Sequence, residues 1–273
     1  MAENSKVTNP PAARASRRQD FARRAILWSS LAVFIPAVAI ASVSLPLAVG
    51  VIFGVHLFFL FASLCPNSRL CLPVVTRFDT REREVWLTFD DGPDPQETPR
   101  VLALLAQHRV RATFFLIGRQ AEKNPGLVRG ILAAGHAIAN HTYTHPAALF
   151  WAYPPSCFER EIDRCADVLA ADAGAPPRYF RGPVGWHPPL LYQVLRRREL
   201  QPVGWTARGL DCADRNPSRV AGRVLRRLRP GAIFLLHPER RNRRGENPGL
   251  AALEIVLREI DRAGYRCVLP EIT

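Results

Sequence analysis

Two adjacent carboxylates, Asp90 and Asp91, close the apolar run in "VWLTFDDGP" and are followed at once by Gly92 and Pro93. Successive side chains on a strand point to opposite faces, so two neighbouring acids at its end serve different tasks. One is placed to hold a metal ion while the other faces a substrate. Gly92 and Pro93 turn the chain sharply and leave both carboxylates at a pocket mouth.

A second stretch, "NHTYTH", separates His141 from His145 by four residues, which on one helical turn puts both imidazoles on the same face. Two histidines and one carboxylate make a site with open positions, suited to a hydrolytic Zn²⁺ or a related divalent ion. Polar residues also follow the other apolar runs: Arg181, Asp211 a little beyond Trp205, and His237.

The elements that must position these residues read as a repeated alternation from Glu84 onward. Seven short runs have strand character: "VWLTF", "ATFFLIG", "HAIAN", "YFRGP", "QPVGW", "GAIFLLH" and "YRCVL". Between them lie amphipathic stretches such as "ETPRVLALLAQH", with Val101, Leu104, Leu105 and His108 on one side, and "NPGLVRGILAAG", with Asn124 as its cap. Alternating strands and helices imply a mainly parallel sheet covered by helices, and seven strands suggest a barrel or near-barrel. In such folds chemistry sits at the C-terminal strand ends, where all of the residues above fall.

Five segments in order, "TFDDGP" (Thr88 to Pro93), "HTYTH" (His141 to His145), "RGPVG" (Arg181 to Gly185), "WTARGLD" (Trp205 to Asp211) and "IFLLH" (Ile233 to His237), resemble the motifs of the polysaccharide deacetylase family, also called carbohydrate esterase family 4. The resemblance covers about Glu84 to Leu269. It implies an α/β fold, a distorted (β/α)7-8 barrel, and metal-dependent hydrolysis of an acyl group on a sugar. It also implies roles: Asp90 as general base, Asp91, His141 and His145 as metal ligands, Arg181 holding the base, Asp211 orienting His237, and His237 as general acid. The backbone N–H of Val184 would bind the oxyanion. Trp205 and, by its place next to the third motif, Trp186 are candidates to line the substrate pocket, with core packing the alternative for Trp186. The implied ion is Zn²⁺, with Co²⁺ or Ni²⁺ as alternatives. The chain departs from the family pattern at Val184, where an aromatic residue is common, at Arg208, where an acidic one is common, and at Pro238-Glu239, where His237 is more often followed by Asp. These departures point to an altered substrate preference.

Upstream, Ala25 to Ala62 holds 38 residues without Asp, Glu, Lys or Arg, which as one helix would reach roughly 57 Å, nearly twice a bilayer core. The stretch is longer than a secretory leader. A bend at "SVSLP" divides it into two spans, Ala25 to Val43 and Leu47 to Ser63, and flanking arginines (Arg14, Arg17, Arg18, Arg23 and Arg24 before; Arg69, Arg77, Arg81 and Arg83 after) favour cytoplasmic placement of both ends. The expected organisation is a disordered tail over 1–24, a transmembrane hairpin over 25–63, a connector over 64–83 and the catalytic domain over 84–273. It belongs in a bacterial-type inner membrane with the domain facing the cytoplasm; a single long span would put the domain outside.

Thirty-seven basic against 24 acidic residues give a net charge of +13, nearly all from arginine. Such a domain is drawn to anionic headgroups, whereas no zinc-finger spacing or aromatic-interleaved basic motif supports nucleic acid. "HPERRNRRGENPG" adds four arginines beside His237, where guanidinium forks match phosphate. Six cysteines contain no C-x-x-C pair and read as reduced thiols. A metallopeptidase would need a signature such as H-E-x-x-H, which is absent. The expected substrate is an amino-sugar polymer or a lipid-linked sugar. The competing function is a non-catalytic membrane protein that binds glycan or assembles partners.

Overall fold

A computed structural model describes residues 44–70, 72–214, 216–239 and 246–271. The expected tail, the first expected span and the arginines of the loop after His237 lie outside the described residues. The elements in chain order are α1 (Leu45–Leu64), β1 (Glu84–Asp90), α2 (Thr98–Gln107), β2 (Thr113–Leu116), α3 (Gly118–Lys123), α4 (Pro125–Ala133), β3 (Ala137–Asn140), α5 (Pro155–Ala173), β4 (Tyr179–Phe180), α6 (Pro189–Arg197), β5 (Gln201–Pro202), β6 (Ala207–Arg208), α7 (Pro217–Leu225), β7 (Ala232–Leu236), α8 (Pro248–Arg262) and β8 (Arg266–Cys267).

Proline in the first turn starts α2, α4, α5, α6, α7 and α8, where its missing N–H costs nothing. Asn216 and Asn247 cap α7 and α8 by accepting from the Arg219 and Leu250 N–H groups. Asn124 sits at the expected cap of α4, but its side chain donates back to the Gln120 carbonyl instead of accepting from α4.

Eight strands form one sheet in the order β5-β4-β3-β2-β1-β7-β6, with β8 also paired to β1, and all of these pairings are parallel. The distorted barrel or near-barrel expected from the sequence takes the form of a curled, incompletely closed parallel sheet. Its path ends at β5 and β6, which are adjacent in sequence yet not paired with each other. The gap is spanned by residues 203–206 and by the connector, through bridges from Val75 to Val203 and from Arg77 to Ala232. Leu72, Val74 and Phe78 of that connector are buried in the core.

Alternation along β1 decides where the chemistry goes. Val85, Leu87 and Phe89 pack outward against the helix layer, joining Val101, Leu105, Val220, Val256 and Ile260. Each such buried side chain contributes about 1.5–3 kcal/mol. Trp86 turns inward with Phe115, Ala139, Val203 and Ile233. By the same two-residue period, Thr88 and Asp90 also face the interior of the curl.

Among the described residues one helix, α1, is long and apolar enough to cross a membrane. It coincides with the second expected span and begins at the expected bend; two transmembrane helices are not shown. Its C-terminal end is packed, with Ala62 and Ser63 buried and the Ser63 carbonyl accepting from the His187 N–H.

Two buried histidines give the fold an acid-sensitive stability. Burial first, then Arg111, pushes His136 down to about 4, and burial, then Arg181, does the same to His187. Both folded values lie below the ordinary 6.5, so the unfolded chain binds more protons between these limits. Stability is complete above about pH 6.5 and falls toward pH 4, by about 1.4 kcal/mol per pH unit for each group. Neither ring nitrogen of His187 has a hydrogen-bond partner among the described residues, so His187→Leu should flatten this decline without loss at pH 7. Urea unfolding across pH 4–7 measures it.

Candidate active site

The C-terminal strand ends open into a cavity of about 200 Å³ whose lining includes Asp90, Asp91, His141, His145, Val184, Trp205, Arg208, Cys212 and His237. Asp90, the last residue of β1, is held inside the curl by Arg181. The Arg181 side chain is fully buried, and its Nη1 donates to Asp90 Oδ1 at 2.7 Å and to Thr88 Oγ1 at 3.0 Å. Its other nitrogens donate to the Val203 and Gly204 carbonyls, while the guanidinium lies over the Phe115 ring at 4.0 Å. A buried charge survives here because its hydrogen-bond partners surround it.

Asp91 lies one residue past the strand with φ of 83°, and this left-handed turn swings its carboxylate back into the cavity holding Asp90. The residues thus share a pocket from different backbone states. The Gly92–Pro93 peptide that follows is cis.

His141 and His145 do not stand on a helical turn. They occupy the loop after β3, where Thr142 and His145 adopt positive φ. The Tyr143 and Thr144 N–H groups and the Thr144 hydroxyl all donate to Glu161 of α5, which pins the loop. The imidazoles still converge: His141 Nε2 and His145 Nε2 lie 3.6 and 3.4 Å from Asp91 Oδ1.

His141 Nδ1 is 2.8 Å from the Arg181 carbonyl oxygen. A carbonyl only accepts, so Nδ1 carries a proton, and in the neutral ring the Nε2 lone pair is then the one available to a metal ion. One donor atom from each of Asp91, His141 and His145 lies within 4.8 Å of the others. The tautomer, the spacing and the mixed N/O donor set fit a divalent metal ion. Burial opposes ionisation of Asp91, but His141, His237 and His145 together hold its carboxyl below the ordinary carboxylate range.

Asp211, Cys212 and His237 also lie close enough to share an ion, but their geometry is that of an oriented acid. Asp211 Oδ1 accepts from His237 Nδ1 at 2.9 Å, and its second oxygen accepts from the His237 backbone N–H. Burial works against the charged ring, yet Asp211 and Cys212 raise the His237 pKa well above the ordinary histidine value. Asp211→Asn should therefore move the alkaline limb of the pH–rate profile to lower pH and reduce kcat, since the acid form is lost earlier as pH rises. A pH series of kcat/KM for both proteins measures the shift.

Val184, at φ of 60° and 44% exposed, sits on the cavity wall in the short 3-10 turn Pro183–Gly185. Trp205 is 7% exposed and presses against Gly185, where a Cβ would come within 2.3 Å of its ring. Trp186, the other candidate to line the pocket, is instead half-buried against the core of Ala62, Leu72 and Leu191.

The profile of the family described as "Polysaccharide deacetylase" matches residues 77–203. A chitooligosaccharide deacetylase from Bradyrhizobium sp. (strain ANU 289) is 41% identical over 155 residues, covering 57% of this chain and 70% of the relative. The chain belongs to the polysaccharide deacetylase family. Its similarity to deacetylases within that family supports a hydrolase acting on carbon–nitrogen bonds. A solved peptidoglycan N-acetylglucosamine deacetylase is similar over 71% of this chain and 89% of its own, at 32% identity and a TM-score of 0.66. A family pseudoenzyme from Bacillus anthracis is 26% identical, with a TM-score of 0.63 over 70% of this chain and 65% of its own.

Several supports of this family site escaped the sequence reading. Thr88 and Glu161 look like ordinary sheet and helix residues. Asn67 accepts from the Trp205 N–H and donates to its carbonyl from 138 residues away. Glu239 is buried under Gly92, bonded to the Thr98 hydroxyl. Burial first, with Asp94, Asp91 and Glu97 adding to it, pushes Glu239 up to about 8. Its one visible signal was the departure at Pro238-Glu239.

Proposed function

We propose that the chain is a membrane-anchored, metal-dependent deacylase that removes an acetyl or formyl group from the nitrogen of an amino sugar, in a polymer or a lipid-linked saccharide. The observation that carries this reading is the convergence in one cavity of an Arg-held carboxylate, an Asp-His-His donor set and an Asp-oriented histidine. The similar proteins named for chitooligosaccharide and peptidoglycan N-acetylglucosamine favour an N-acetylglucosamine unit. The apolar helix α1 supports the anchor; the face of the membrane on which the domain lies is proposed to be cytoplasmic, from the arginines on both flanks of the apolar stretch.

Asp91, His141 and His145 would hold the ion, most readily Zn²⁺. When bound, it supplies Lewis-acid polarisation to the acyl group and to water. Asp90 takes the proton of the attacking water, and Arg181 fixes its carboxylate toward the cavity. The Val184 N–H donates to the oxyanion as the carbonyl carbon becomes tetrahedral. His237, kept protonated beside Asp211, gives its proton to the sugar nitrogen as the carbon–nitrogen bond breaks. Trp205 and Arg208 shape the sugar side of the cavity.

Chelator-stripped protein titrated with Zn²⁺, Co²⁺ or Ni²⁺ should bind one ion, and His141→Ala should abolish that binding. Activity on an acetylated oligosaccharide should return with the ion. A wild-type protein that binds no metal and turns over nothing would favour the non-catalytic glycan-binding alternative; the pseudoenzyme relative shows that the family includes members described as pseudoenzymes.

A further inference from the structure

Among the described residues outside α1, the large apolar side chains that stand exposed are Leu70, Leu149, Trp151, Val184, Leu190 and Leu210. Their places in the chain are not scattered. Leu149 and Trp151 follow β3, Val184 and Leu190 follow β4, and Leu210 follows β6. Because the sheet is parallel, all of these connections leave it at the C-terminal strand ends, the end that carries the catalytic cavity. Val184 and Leu210 line that cavity. Leu70 lies three residues after Asn67, which grips Trp205 at the same end.

The α1 helix arrives there too. Its Ser63 carbonyl is bonded to His187 in the connection after β4, and Ala62 packs in the cluster that contains Phe150, between Leu149 and Trp151. Along the rest of α1, Leu45, Leu47, Val49, Phe53, Leu57, Phe58, Leu60 and Phe61 are exposed. The twenty residues of α1 rise about 30 Å, the thickness of a bilayer's hydrocarbon core. An apolar rim of this kind rarely stays in water, and here it continues from the end of a helix suited to lipid. Two cations accompany it: Arg69 is exposed beside Leu70, and Arg208 reaches the cavity over the Trp205 ring at 5.5 Å.

We propose that the face around the catalytic cavity rests on the bilayer surface beside α1, so that the cavity opens toward the headgroups and takes its amino sugar from a lipid carrier at that surface. This rests on the deacylase reading and narrows its substrate class. The apolar rim dips into the headgroup boundary, Arg69 meets anionic lipid, and Arg208 faces the anionic linkage of a lipid-borne sugar.

The test uses full-length protein reconstituted in phosphatidylcholine–phosphatidylglycerol vesicles. Brominated lipid should quench the part of the tryptophan emission that Trp151→Phe removes. The double variant Leu149→Asp/Trp151→Asp should lose about tenfold or more in activity on a lipid-linked acetamido sugar in the vesicles, yet keep its activity on a soluble chitooligosaccharide. Unquenched Trp151, or quenching by soluble chitooligosaccharide in place of lipid, would overturn the proposal, as would equal loss on both substrates. If the wild-type protein turned over neither substrate, the deacylase reading would fall, and the quenching would still decide the surface.

Discussion

Asp90→Asn should lower kcat by about 10²–10⁴-fold, the usual contribution of a positioned general base. Arg181 Nη1 would still find an acceptor in the amide oxygen, so the variant keeps the hydrogen bond that now measures 2.7 Å. What it loses is the ability to take a proton. Metal binding should persist, because Asp91, His141 and His145 are untouched, and KM should change little. Single-turnover and steady-state rates, together with metal stoichiometry, separate these effects. An Asp90→Asn protein that retained wild-type kcat would remove Asp90 from the mechanism.

Arg181→Leu should destabilise the fold by about 3–5 kcal/mol, the range for breaking one side of a buried ion pair. The loss has several parts: Asp90 is left buried without its cation, the Thr88 hydroxyl loses a donor, and the Val203 and Gly204 carbonyls lose theirs. For a domain of this size such a change lowers Tm by roughly 10 °C. Arg181→Lys should rescue only part of it, since one ammonium cannot reproduce a fork that reaches both Asp90 and two carbonyls. Thermal unfolding of the three proteins followed by near-UV circular dichroism measures the series.

These effects fall on residues that the sequence made visible. Asp90, Asp91, His141, His145, Arg181, Asp211 and His237 each end a strand or begin the loop after it, and a parallel sheet brings such positions to one end whatever the detailed curvature. The β1 alternation was equally readable, since Trp86, Thr88 and Asp90 share a face by a two-residue period. What could not be read was backbone handedness. Positive φ at Asp91, Thr142, His145 and Val184 belongs to non-glycine residues, held there by tertiary partners such as Glu161 rather than by local preference. The two residues of β6 were too short to carry a pattern. The bridging of the open edge also depended on Val75 and Arg77 in a connector that has no strand signature of its own. For Trp186, adjacency to a motif left pocket lining and core packing both open, and its side chain packs against the core.

The most direct test of the account is acetate release from N-acetylglucosamine oligomers by the full-length, Zn²⁺-loaded protein, with the free amine counted in parallel. The account predicts one acetate for each amine, abolished by chelation and restored by added metal. Metal-loaded protein that binds the oligomer but releases no acetate from it, while the lipid-linked acetamido sugar is equally untouched, would contradict it.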